Sequence, residues 1–265
     1  RRITYVFSQI RTDLGIFDSF FVTWYYHSYI KSDNFVFGML DQRKQQFLGL
    51  VVEHYIESMQ PVGSRFLRGL KNVTVSEATI RNDLRALEDE GFLTHPHTSA
   101  GRVPTEQGYR FYVDHVMKKH DLAKETVAQI QTLAANTIEK EQAIKQLAKY
   151  VALYSGNAVI VAFSKNKMYY TGMSYLFSQP EFQDYARTVQ VSGIFDHCEE
   201  RLHLVYNSIE KTGCNVLIGQ QNPLGGACSM VAATIKNDML FILLGPMRMK
   251  YKQNTSIMQF LHTHI

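Results

Sequence analysis

Val75 to Arg85 reads VSEATIRNDLR, and shortly after it His95 to Gly108 reads HPHTSAGRVPTEQG. Placed at about 100° per residue, Ile80, Leu84 and Leu87 fall on one stripe of a helix over 75–90. Ala78, Arg81, Asn82 and Arg85 lie on the opposite side, with Thr79 at its edge. Thr74, spaced to Glu77 as a capping box, and Ser76 are competing caps for its start. The question is why a helix facing outward with Arg-Asn-x-x-Arg stands directly before a turn-rich loop that carries an arginine of its own, Arg102.

The sequence on either side supplies the context. In DQRKQQFLGLVVEHYIESM, Asp41 to Met59, the residues Phe47, Leu48, Val51, Val52, Tyr55 and Ile56 recur at three- and four-residue intervals, which predicts a helix ended by Gln60-Pro61. A short helix is expected over Gly63–Leu70. Downstream, Gly91 closes the third helix, and FLTH, the turn PHTSAG and RVP read as strand, turn and strand. Helix, helix, helix, strand, turn, strand is the winged helix-turn-helix plan, expected over residues 39–118. A helix fits the major groove of B-DNA, where Arg pairs with guanine, Asn with adenine, and a methyl of Ala78 or Thr79 meets a thymine methyl. Arg81, Asn82 and Arg85 are the candidates for sequence reading. Ser64 and Arg65, opening the second helix, suit phosphates, and Ser76 at the head of the third joins the contact set. Arg102, with His97, Thr98 and Ser99 on the wing, is placed to hold phosphate or reach the minor groove. An isolated helix with such a face is more often merely solvated; the order of elements and the three separate basic positions shift the balance toward DNA.

Beyond Pro104, Thr105 can cap a helix lined by Tyr109, Tyr112, Val113 and Val116. Residues 119–155 read as two helices, a connector whose stripe is most simply core. From Asn157 strands begin: NAVIVAF and KMYYTGM about a Lys165-Asn166 turn, then helices in EFQDYARTVQVSGIF and CEERLHLVYNSIEKTG, then strands NVLIG and CSMVAATIKNDMLFILLG, and a last helix after Met249. The whole is α+β, with a second domain at 156–265. The 265 residues, 45 % hydrophobic and 20 % charged, suit two globular domains, and a formal charge of +4 permits a nucleic-acid partner without demanding one. Cys198, Cys214 and Cys228 are dispersed as expected of reduced thiols in a cytoplasmic protein. The histidine pairs His95/His97 and His262/His264 lack partners at metal-ligand spacing. Neither a cofactor motif nor a nucleophile constellation stands out, so no cofactor and no enzymatic activity are expected; Cys228 in NPLGGACS reads as part of a structural turn. In GPMRMKY, Arg248 and Lys250 are expected to serve domain or dimer packing. Residues 1–38 include FDSFFVTWYYHSYI, too polar and short to span a membrane, and Met39 is read as the start of translation with 1–38 as an upstream extension.

VSEATIRNDLRALEDEGFL and HPHTSAGRVPTEQGYRFYVD closely resemble the DNA-binding domain of the HrcA family, the bacterial heat-inducible transcription repressors. TGMSYLFSQPEFQD, VLIGQQN and LLGPMRMKY resemble that family's C-terminal signatures. The resemblance implies a homodimeric repressor of chaperone genes that binds an inverted-repeat operator on double-stranded DNA, is released by heat shock, and has the chaperonin as a partner. It also implies a GAF-like C-terminal domain. Family members carry a longer middle than the stretch between Val113 and Gln179 allows, so a truncated GAF-like fold is expected here, and Gln221 stands where an acidic residue belongs. A ligand-sensing regulator of a metabolic regulon is the alternative.

Overall fold

The computed structural model of the protein describes residues 40–96, 101–135, 140–164 and 167–265. Helix α1, Gln42–Ser58, buries Phe47, Leu48, Val51, Val52 and Ile56. Against it pack α2, Ser64–Arg68, through Leu67, and α3, Glu77–Asp89, whose Ile80, Leu84 and Leu87 are fully buried. Helices this short are marginal alone, so the shared apolar core is what holds them. Strands β1, Leu93–Thr94, and β2, Val103–Pro104, pair antiparallel. The return strand is also tied to the turn before α2, because Val62 and Arg102 exchange N–H···O=C bonds of 2.9 Å in both directions. That approach requires Gly101, since a Cβ there would lie 2.5 Å from the Val62 carbonyl carbon.

Thr105 Oγ1 accepts the Gly108 N–H at 3.1 Å and opens α4, Glu106–Phe111, which runs into a π turn at Tyr112–Val116. Two further helices follow, α5 at Lys124–Ala134 and α6 at Lys140–Ser155. Leu147, Ala148 and Val151, from the stripe that the sequence makes most simply core, are fully buried with Ala152, and α6 lies on the sheet of the C-terminal half. Its apolar stripe therefore serves as a core layer.

That sheet has five strands: β3, Ala158–Ser164; β4, Lys167–Thr171; β5, Cys214–Leu217; β6, Ser229–Ile235; and β7, Met239–Gly245. Their order is β4-β3-β7-β6-β5, antiparallel throughout, with Ile242 of β7 opposite both Ile160 and Ala232. One face, including Ile160, Met230, Ala232 and Ile242, packs with Leu176, Val191, Ile194, Leu202 and Val205 from α7, Met173–Phe177, α8, Tyr185–Asp196, and α9, Cys198–Ser208. The other face is covered by α6 and by α10, Tyr251–His264. Burial on both faces explains why β3, β6 and β7 are continuous apolar runs instead of alternating ones. The expected strand KMYYTGM stops at Thr171, because Gly172 turns left-handed at φ 79° and starts α7.

Gln42–Ile265 closes into one unit. Arg248 lies between its halves: Nε and Nη2 donate to the two Glu181 carboxylate oxygens at 2.6 and 3.2 Å, and Nη1 donates to the Ile56 carbonyl at 2.5 Å. Both side chains of the ion pair are nearly buried, at 13 % and 12 % exposure. Around it, Lys250 pairs with Glu57 at 3.0 Å and Lys252 with Glu53 at 2.6 Å. Farther along, the Glu106 carboxylate accepts the Gln220 N–H at 3.0 Å, and Arg110 donates to the Ile218 carbonyl at 3.4 Å.

Candidate nucleic-acid interface

Helix α3 poses an electrostatic problem for any approach to phosphate. Its sequence EATIRNDLRALED holds four carboxylates against two guanidiniums. Three of these carboxylates, and the Glu90 that caps the helix, are engaged by groups of the fold. Glu77 accepts the Ser64 hydroxyl of α2 at 3.1 Å and pairs with Arg81 at 2.9 Å. Asp83, nearly buried, receives Nε and Nη2 of Arg43 from α1 at 2.7 and 3.1 Å. Glu88 meets Arg102 of the return strand at 3.2 Å, and Glu90 meets Lys44 at 2.8 Å. The four cationic partners offset negative charge, and the contacts from Ser64, Arg43, Arg102 and Lys44, which lie outside α3, fix its rotation about its axis. Ala78, Arg81, Asn82 and Arg85 are left on the exposed side.

The start of α3 is resolved in favour of Ser76, whose Oγ accepts the Thr79 N–H at 3.2 Å and lies 2.9 Å from Thr79 Oγ1. Thr74 is not the cap. Ser76 and Thr79 thus serve the helix while still lying near the outer surface at its N-terminal end, where the partial positive charge of the helix favours an anion. Arg65 is exposed on α2, beside Phe66, which is 41 % exposed and packs on the His54 ring at 4.1 Å.

Arg102 is placed differently from the other arginines. Its side chain is 15 % exposed and turned onto Glu88, while its backbone joins Val62, so its first role is to tie the return strand to α3 and to the α1–α2 turn. His95 Nδ1 lies 3.3 Å from Glu88 Oε1 without hydrogen-bond geometry. His97, Thr98 and Ser99, the other expected wing contacts, lie outside the described residues.

Sequence reasoning missed the Arg43–Asp83 pair, although a signal was present. Asp83 follows Ile80 by three positions and falls about 300° around the helix, about 40° beyond Leu87 at the edge of the inward stripe. A carboxylate there demands a cationic partner, and Arg43 on the facing helix is a candidate. The Glu181–Arg248 pair joins residues too distant in sequence to be read this way.

The thiols carry no nucleophile. Burial pushes Cys198 up to about 11, aided by the nearby Glu199, and pushes Cys214 and Cys228 up to about 12. They remain protonated at neutral pH, where only the thiolate attacks. Among the described residues, no helix is long and apolar enough to cross a membrane.

Comparison with known proteins adds the lineage. A family model described as the HrcA protein C-terminal domain matches residues 116–254, which takes in α5, α6 and the whole sheet. A protein of Acetivibrio thermocellus named heat-inducible transcription repressor HrcA is 40 % identical over 129 residues, covering 48 % of this chain and 37 % of that protein. A protein of the same name from Halalkalibacterium halodurans is 44 % identical over 115 residues, covering 43 % of this chain and 34 % of that one. The matched stretch thus spans little more than a third of either relative. A solved structure described only as a hypothetical protein superposes with a TM-score of 0.70 over 84 % of this chain and 97 % of its own, at 16 % identity, a likeness of fold alone. The family match covers more than half of the residues, from the end of the π turn into the start of the last helix: this chain belongs to the HrcA family.

Proposed function

We propose that the chain is a DNA-binding repressor of heat-shock genes. Residues 39–118 act as a winged helix-turn-helix and 156–265 as a truncated GAF-like domain, with 119–155 leading from one to the other and α6 packed on the second domain's sheet; the antiparallel order β4-β3-β7-β6-β5 supports the GAF-like reading. The observation that carries the reading is the exposed Arg81, Asn82 and Arg85 on a helix whose carboxylates are largely held by the fold. Arg85 and Asn82 are the base readers, Arg81 reads after leaving Glu77, and Ser64, Arg65 and the head of α3 hold phosphate. A homodimer presents two such helices to an inverted repeat. The protein works in the cytoplasm by binding, without a catalytic step, and heat and the chaperonin control it. The names of the curated relatives favour this over a metabolite-sensing regulator.

The test is fluorescence anisotropy with the family-type inverted-repeat operator and with a scrambled duplex of the same length, at near-physiological salt. Operator binding is expected to be tighter by ~4 kcal/mol or more. Equal, weak and steeply salt-dependent binding to both duplexes would refute the proposal.

A further inference from the structure

The three C-terminal stretches that carry the family resemblance touch none of the proposed DNA contacts, yet in the structure they converge on the N-terminal half. QPEF supplies Glu181, GPMRMKY supplies Arg248 and Lys250, and IGQQN supplies Gly219 and Gln220. Gly219 turns left-handed at φ 54°, and a Cβ there would lie 2.2 Å from the Glu106 carboxylate, so this loop is shaped to receive that group. At the centre of the seam Tyr109 is nearly buried, its ring 6.0 Å from that of Tyr251.

The points gripped are two helix ends. Arg248 donates to the Ile56 carbonyl in the last turn of α1, where carbonyls lack helical partners and a cation is favoured. Glu106 sits in the first turn of α4, where a carboxylate is favoured, and takes the Gln220 N–H. Everything proposed to touch DNA, from Ser64 to Arg102, lies in the chain between these two anchors. The guanidinium fork binds Glu181 through two nitrogens and Ile56 through the third, a planar geometry that resists rotation.

We propose that Arg248 is a positioning residue for operator recognition: through Glu181 and the Ile56 carbonyl it fixes the angle of the reading unit against the rest of the chain, and so sets the half-site spacing that the dimer accepts. The inference rests on the repressor reading. Two linked binding units gain avidity only when their geometry lets both engage, so a loosened unit tolerates spacings that a fixed one rejects.

The test uses the full chain, a single half-site duplex, and operators whose spacer changes one base pair at a time. The wild type is expected to prefer one spacer by about tenfold or more. Arg248→Met/Glu181→Met removes both charges together and leaves no buried ion alone; Arg248→Lys keeps the charge but loses the fork. Both are expected to flatten the spacer profile to within about threefold while half-site affinity stays unchanged. If the double variant does not fold, Arg248→Lys alone decides, with the same flattening expected. A retained spacer preference in folded variants, or half-site affinity falling in step with the operator's, overturns the inference. A wild type that does not distinguish operator from scrambled duplex overturns the repressor reading first, and this inference with it.

Discussion

Breaking the Arg43–Asp83 pair from its two ends should give unequal results, and the inequality follows from burial. The Asp83 side chain is 8 % exposed and that of Arg43 48 %. In Asp83→Asn the two charge-assisted bonds weaken, but the guanidinium can turn to water, so the cost is about 1–2 kcal/mol, toward the low end for bonds to a charged group. In Arg43→Met the carboxylate stays enclosed between α1 and α3 with its fork removed. An uncompensated buried charge of this kind costs about 3–5 kcal/mol. The more exposed partner is therefore the more expensive one to delete, by about 2 kcal/mol. Since 1 kcal/mol moves the melting temperature of a domain this size by roughly 2–4 °C, the two variants should melt about 4–8 °C apart. Helical circular dichroism followed through thermal and urea unfolding reads the difference. If Asp83→Asn is as destabilising as Arg43→Met, the carboxylate is not held in the way described, and the account of how α3 is set in rotation fails.

Other expectations follow from the same geometry. Leu84→Ala, at a fully buried position on α3, should destabilise the chain by about 2–5 kcal/mol, and an unchanged melting temperature would contradict the packing of α3 on α1. Arg85→Ala should cost operator binding ~1–3 kcal/mol and relax specificity at one base pair. Arg81→Ala should cost less, because Arg81 must first give up Glu77; uniform weakening on every duplex would assign both arginines to phosphate. The folded chain holds three thiol protons that an unfolded chain sheds above the ordinary value of 9.0, so stability from the thiols is full below pH 9 and falls as pH rises toward 11–12. Denaturant midpoints across that window should decline less steeply in Cys228→Ala, and an identical slope would show that the Cys228 proton is not retained.

Much of this protein was legible locally. The stripe of Ile80, Leu84 and Leu87 follows from a period of 3.6, and it fixes which side of α3 carries Arg81, Asn82 and Arg85. Thr105 as a cap, and the apolar runs that become β3, β6 and β7, are likewise properties of short windows. Family membership was also visible in contiguous motifs. The cap at Ser76 instead of Thr74 was a choice between near neighbours that sequence left open, settled by which oxygen reaches the Thr79 N–H.

The remaining decisions belong to the tertiary structure. A sequence shows that Arg102 is basic and follows a turn-rich loop; only the return of that strand beside Val62, permitted by Gly101, turns its guanidinium onto Glu88. Nor does any local period connect Ile56, Glu181 and Arg248, which meet because antiparallel pairing and the closing of two layers bring distant segments together. Helical phase and strand burial are set by forces acting within a few residues, and the sequence by itself determined them. Which charge meets which depends on chain closure over long loops, and that was decided only when the halves packed against each other.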